Sequence, residues 1–152
     1  MARITVQEQD FDPGAELAAL TDGRRDIGAA VSFVGLVRDI HGGDQVSALT
    51  LDHYPGMTER ELEKIADEAA DRWPLDDVRI VHRVGRMLPG EKIVLVITLS
   101  AHRRAAFEAC DFIMDFLKTR APFWKREETS KGDHWVTAKA SDDADADRWN
   151  QS

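Results

Sequence analysis

Lys92-Ile-Val-Leu-Val-Ile-Thr-Leu-Ser100 is the most apolar stretch of the chain, and it runs straight into Ala101-His-Arg-Arg-Ala-Ala-Phe-Glu-Ala-Cys-Asp-Phe-Ile-Met-Asp-Phe-Leu-Lys-Thr119. The first segment is rich in β-branched residues and nearly continuous in its apolar character. That is the pattern of a strand covered on both faces, so it belongs in the middle of a sheet. The second segment places Ala106, Ala109, Cys110, Ile113, Met114 and Leu117 at helical spacing and predicts an amphipathic helix over 102–119. A central strand feeding a long helix sets the fold class, and the remaining elements are read outward from this pair.

Toward the N-terminus, Leu88-Pro-Gly-Glu91 is a turn and 78–84 a strand. Pro74 stops a helix over 59–73, whose buried stripe is Leu62, Ile65, Ala66, Ala69, Ala70 and Trp73. Thr58 and Glu61 have the spacing of a capping box at its start. Tyr54-Pro-Gly56 is a turn. Residues 46–53 alternate as a strand, with Val46, Ala48, Thr50 and Asp52 on one face and Leu49, Leu51 and His53 on the other. Residues 39–44, with Gly42-Gly43, read as a flexible loop, and 28–37 as a buried strand. Asp12-Pro13 is an N-cap with proline at the first helical position, opening a helix that buries Leu17 and Leu20 and ends near Gly23. Residues 2–8 form a short strand.

Toward the C-terminus, Ala121-Pro122 breaks the long helix. Residues 123–128 and 134–139 then flank Ser130-Lys-Gly-Asp133 as a hairpin. The whole is one α+β domain over residues 1–141, with mixed sheets, two main helices and no internal repeat or linker. Residues 142–152 carry Asp142, Asp143, Asp145 and Asp147 and lack apolar periodicity before Trp149, so they read as a mobile or weakly helical acidic tail.

A chain of 152 residues with 43% apolar and 32% charged residues is long enough for one sizeable core. Its longest apolar run is far short of the roughly 20 residues of a membrane helix. The N-terminus, Met-Ala-Arg-Ile-Thr-Val, lacks the apolar core of a secretory signal, so the expected location is the cytoplasm. The net charge of −8 disfavours nucleic acid, whose nonspecific affinity comes from cations on phosphates. On an acidic chain, a local cluster of cations points to a specific anion.

Three such groupings occur. Lys118, Arg120, Lys125 and Arg126 fall within nine residues without a carboxylate among them. A helix C-terminus attracts cations without any ligand, which accounts for Lys118 and Arg120. Lys125 and Arg126 lie beyond the proline, beside Phe123 and Trp124, and escape that account. Judged locally, a solvated basic turn and an anion site both remain open. Ser100-Ala-His-Arg-Arg104 sits where the central strand meets a helix N-terminus. There His102, Arg103 and Arg104 oppose the dipole, so they call either for a bound anion or for surface acids such as Glu108. Arg38 ends a buried strand ahead of a glycine-rich loop, a frequent ligand position that is also compatible with simple solvation.

Other chemistries lack their signatures. His41, His53, His82, His102 and His134 form no i,i+4 pair and no HExxH, so no metal site is expected. There is no GxSxG and no GxGxxG. Cys110 is the only cysteine and lies on an apolar helix stripe, where it reads as core.

Four strings carry a resemblance: Leu-Lys-Thr-Arg-Ala-Pro-Phe-Trp-Lys-Arg-Glu (117–127), His-Tyr-Pro-Gly-Met (53–57), Ser-Ala-His-Arg (100–103) and Phe-Val-Gly-Leu-Val-Arg (33–38). In this order and spacing, from Gly28 to Asp142, the chain resembles the large, catalytic subunit of molybdopterin synthase. The resemblance implies an α/β hammerhead fold with an additional antiparallel β-sheet. It implies a sulfurtransferase that converts cyclic pyranopterin monophosphate to molybdopterin by installing a dithiolene, a step of molybdenum cofactor biosynthesis. The sulfur would come from the C-terminal Gly-Gly thiocarboxylate of a small ubiquitin-like partner, with a homodimer of this chain at the centre of a heterotetramer. No metal or other cofactor is implied. Carried over by position, Lys118 and Lys125 are the catalytic lysines. Arg38, His102 and Arg103 hold the substrate's anion, and Phe33, Arg126, Glu127 and Lys139 complete the binding residues. His102 and Arg103 would reach the site from the neighbouring protomer.

Elementary chemistry bears on these roles. A lysine amine with its ordinary pKa near 10.4 is charged at neutral pH and a poor base or nucleophile. Crowding by Lys125, Arg120 and Arg126, and cover from Phe123 and Trp124, would favour the reactive neutral form of a lysine at 118. Two other readings use the same cations. One is a noncatalytic module that binds a ubiquitin-like tail or an anionic metabolite. The other is a small acyl- or phosphoryl-transfer enzyme.

Overall fold

The computed structural model describes residues 2–136 and 140–150. Its first sheet contains β1 (Ala2–Gln7), β2 (Ala29–Leu36), β5 (Leu75–Arg83) and β7 (Lys92–Ser100), in the order β1-β5-β7-β2. β7 runs antiparallel to both β5 and β2, and β1 is parallel to β5. The second sheet is antiparallel, in the order β3 (Ile40–His41), β4 (Asp44–His53), β8 (Phe123–Thr129) and β9 (Gly132–Val136). A short β6 (Gly85–Met87) also pairs with β4. The helices are α1 (Pro13–Thr21), α2 (Met57–Arg72), α3 (Arg103–Thr119) and α4 (Ala140–Asp147). A 3₁₀ turn at Arg148–Asn150 follows α4.

β7 is covered on both faces, as its composition demands. Val94 and Val96 pack with Leu62, Ile65 and Ile113 of α2 and α3. Leu95, Ile97 and Leu99 pack on the other side with Phe11 and Leu20. Each such side chain contributes roughly 1.5–3 kcal/mol on burial, which makes this sandwich of helix, sheet and helix the stability centre. Thr98 and Ser100, the polar residues of the strand, are satisfied: their hydroxyls donate to the carbonyls of Ala106 (2.6 Å) and Pro74 (2.8 Å). A third cluster, Val37, Leu49, Leu51 and Met87, lies beneath the second sheet.

Several details depart from the sequence reading. α2 begins two residues earlier than expected. Its N-cap is Gly56, at φ 85°, and Glu59 accepts from the Gly56 N–H at 3.3 Å. Thr58, fully buried, instead accepts from the Tyr54 N–H and donates to the Pro122 carbonyl, which ties the helix start to β8. Glu61 is engaged elsewhere, by Arg120. The 39–44 loop contains the two-residue β3, closed onto β4 by a turn through Gly42 and Gly43. A register shift between Val46 and Ala48 moves Val46 onto the face of Leu49 and Leu51, where strict alternation had put it opposite. The acidic segment from Asp142, read as mobile or weakly helical, is helical to Asp147 and anchored beyond it. Trp149 packs edge-on against Trp73 and Phe112, and Arg148 pairs with Asp111 and Asp115. Those apolar and ionic contacts offset the entropy that the charge content favours.

Candidate active site

A cleft of about 670 Å³ opens where the two sheets meet at the C-terminal end of α3. Three elements bring cations to it. Lys118 comes from the last turn of α3, exposed just past the buried Leu117. Lys125 comes from β8, on the face shared with Phe123 and Glu127. Arg38 follows β2, whose pairing shifts register between Gly35 and Leu36. At Gly35 a Cβ would stand 2.8 Å from Val94 Cγ1, so a larger residue there would have to displace the Val94 side chain. Beyond the shift, the Val37 N–H donates to the Glu91 carbonyl (2.9 Å), and the chain leaves the sheet with Arg38 at the rim. Among the described residues, neither Lys118 nor Arg38 is held in an ion pair. Phe33, 40% exposed, lines the same cleft.

The floor is aromatic. His82 of β5 is buried against Phe123, with ring centroids 3.9 Å apart. Its Nδ1 donates to the Arg83 carbonyl at 2.9 Å. Burial, helped by the nearby charge of Lys125 and by His53, pushes its pKa down to about 4 against the opposing effect of that hydrogen bond. The ring is therefore neutral at physiological pH. Glu127 is also buried, and His41 from β3 meets its Oε1 at 2.5 Å. No spacing in the sequence links His41 to the site, and only the pairing of β4 with both β3 and β8 brings it there.

The structure separates other residues that the sequence groups together. Arg120 turns away and pairs with Glu61 (2.7 Å) and Glu68 (2.5 Å) of α2. Strand alternation puts Arg126 and Trp124 on the face of β8 opposite Lys125. Of the cations expected around Lys118, only Lys125 lines the same cleft. Lys139 lies outside the described residues.

His102 and Arg103 are not at this cleft. They are exposed at the N-terminal end of α3, where His102 is the N-cap. Sixteen residues separate His102 from Lys118, which spans roughly 24 Å along a helix. Arg104 pairs with the surface acid Glu108 at 3.6 Å. Among the described residues, the side chains of His102 and Arg103 take no partner within the chain.

Cys110 is buried in the core beside Ala109 and Ile113, and burial pushes its thiol up to about 12. It neither lines the cleft nor forms thiolate near neutral pH. No cluster of three or more metal-ligating side chains occurs among the described residues. No helix among them is long and apolar enough to cross a membrane.

The family model described as MoaE protein matches residues 6–120. A molybdopterin synthase catalytic subunit of Pseudomonas aeruginosa is 57% identical over 97% of this chain and 99% of its own length. The solved structure of the molybdopterin biosynthesis MoaE protein from Burkholderia ambifaria superposes with a TM-score of 0.85 at 55% identity, covering 99% of both chains. The structure of molybdopterin synthase from Staphylococcus aureus gives 0.80 at 28% identity, over 88% of this chain and 96% of that one. The Pseudomonas and Burkholderia matches run nearly the full length, through the hairpin that follows the family-model match, and on these findings the chain belongs to the MoaE protein family.

Proposed function

We propose that this chain is the catalytic subunit of a molybdopterin synthase and that the cleft at the end of α3 is its active site. The observation that carries the reading is the convergence of Lys118, Lys125 and Arg38, from three separate elements, on one cleft with an apolar floor. A basic turn that was merely solvated would not need β2, α3 and β8 to meet in this way.

In this reading the C-terminal thiocarboxylate of a small ubiquitin-like partner enters the cleft and delivers sulfur to cyclic pyranopterin monophosphate. Lys118 is the principal catalytic lysine. Lys125 positions the substrate and stabilises the negative charge that develops during transfer. Arg38 binds the cyclic phosphate. Phe33 and Glu127 contribute to the walls, and Arg126, on the outer face of β8, acts from outside the cleft of its own chain. The thiocarboxylate brings activated sulfur, so Cys110 has no part in the transfer. The setting is the cytoplasm.

His102 and Arg103 belong to the same function only through a second copy of the chain. Their distance from Lys118 rules out a joint site within one protomer. A homodimer in which the α3 N-terminus of one protomer faces the cleft of the other brings them to the phosphate. With a small subunit at each end, the assembly is a heterotetramer.

The test is turnover. The chain is mixed with thiocarboxylated partner and cyclic pyranopterin monophosphate, and dithiolene is assayed. Lys118→Ala should abolish product while leaving fold and partner binding intact, and Cys110→Ala should leave sulfur transfer running. An active Lys118→Ala variant, or a chain that binds both ligands without turning them over, would replace this reading with that of a binding module.

A further inference from the structure

The cleft that gathers Lys118, Lys125 and Arg38 also contains a carboxylate where an anion should bind. Among the described residues two carboxylates line it, Glu127 and Asp142. Asp142 is half-buried, whereas Glu127 is only 6% exposed and lies two residues from Lys125 on the same face of β8. An ionised carboxylate held out of water is costly unless it is hydrogen-bonded, and it repels a second anion at short range.

His41 answers that charge. Its Nδ1 lies 2.5 Å from Glu127 Oε1, and an ionised carboxylate oxygen can only accept, so the imidazole N–H donates. His134, opposite Glu127 on β9, comes no nearer than 3.8 Å to the same oxygen, beyond hydrogen-bond range. His41 therefore holds the carboxylate alone among the imidazoles. It reaches the cleft on the hairpin whose turn is Gly42-Gly43, both at positive φ. The same bond thus holds that hairpin against the wall of the cleft.

We propose that His41 is a substrate-positioning residue: by donating to Glu127 it holds this buried carboxylate back from the phosphate-bearing substrate that Lys118, Lys125 and Arg38 attract. The inference rests on the reading of the cleft as the site of the cyclic phosphate. Without His41 the Glu127 carboxylate loses the bond that holds it and can turn its charge toward the substrate, so binding weakens while the chemical step is spared.

The experiment uses the full chain with thiocarboxylated partner, varying the concentration of cyclic pyranopterin monophosphate. His41→Ala should raise KM about tenfold, with kcat within about twofold, as expected when only substrate binding is lost. In the Glu127→Gln background the same His41→Ala change should add nothing to KM, because the charge it uncovers is gone. His41→Gln, which keeps an N–H donor, should recover most of the loss. If His41→Ala does not fold, His41→Phe carries the same two comparisons. An unchanged KM, a loss confined to kcat, or an equal rise in KM in the Glu127→Gln background would each overturn the proposal. Lys118→Ala in the same assay separates the two ideas. If it turns over normally, the reading of the cleft itself fails, whatever His41 does.

Discussion

His82 and Phe123 lie face to face, ring centroids 3.9 Å apart and planes 19° from parallel. The pair joins the two sheets, since His82 belongs to β5 and Phe123 to β8. It forms the floor beneath Lys125. A charged imidazole could not occupy this place cheaply, because the ring is buried and a lysine stands near it.

That arrangement sets a pH dependence for folding. His82 titrates at about 4 in the folded chain and at about 6.5 when unfolded. Between those values the unfolded chain binds more protons. The stabilising contribution is therefore complete above pH 6.5 and is lost as pH falls toward 4. His82→Phe keeps a flat ring and removes the titration. From pH 7.5 to 5, the fall in unfolding free energy should be smaller by about 2 kcal/mol in this variant than in the parent, measured by denaturant titration. Equal losses in both proteins would mean that His82 does not carry this proton.

Arg120 lies two residues from Lys118 yet belongs to the scaffold. Its guanidinium bridges Glu61 and Glu68 and so fastens the end of α3 to α2. Arg120→Ala should lower stability by about 1 kcal/mol, a modest figure because the pair is partly exposed. Dithiolene formation at a temperature well below melting should stay within a few-fold of the parent rate. A collapse of kcat to the level of Lys118→Ala would instead place Arg120 in the catalytic machinery.

The contrast between Arg120 and Lys118 shows what was legible beforehand. Elements with a strong period were readable: β7 because both its faces are buried, α3 because its apolar stripe recurs every three to four residues. The cationic segment was readable as a whole, but its division was not. Lys118 and Arg120 leave the end of one helix in different directions, and Lys125 and Arg126 are split by strand alternation. The Thr58–Glu61 spacing fits a capping box, yet Arg120 draws Glu61 away and Glu59 takes its place. His41 looked like part of a loop because its partner, Glu127, is 86 residues away. Long-range pairing of this kind leaves no local mark.

The C-terminal anchor was hidden in the same way, behind four aspartates. Trp149 donates from Nε1 to Asp115 (2.6 Å), while its carbonyl accepts from Arg72 (2.9 Å). Its ring sits edge-on to Trp73 and Phe112, each at 5.5 Å. Trp149→Ala removes the ring contacts and the Nε1 bond and leaves the Arg148 pairs with Asp111 and Asp115 in place. It should cost about 2 kcal/mol, less than a fully buried tryptophan because the ring is only half covered. Limited proteolysis should then release the segment beyond Val136 faster than in the parent. An unchanged cleavage rate and melting temperature would show that the helix does not depend on Trp149.

Lys118 and His102 stand at opposite ends of α3, and this makes the proposed composite site open to a genetic test. If each site takes Lys118 from one protomer and His102 from the other, Lys118→Ala and His102→Ala homodimers are both impaired. In a mixed dimer the two changes fall together in one site, and the second site has both residues intact. Random exchange of equal amounts yields half mixed dimers, so about one quarter of all sites should regain full activity. The mixture should therefore reach about a quarter of the parent rate from two impaired preparations. The exchange itself can be followed with differently tagged chains. Sites contained within one protomer would behave otherwise: every chain in the mixture would carry a lesion, and exchange would restore nothing.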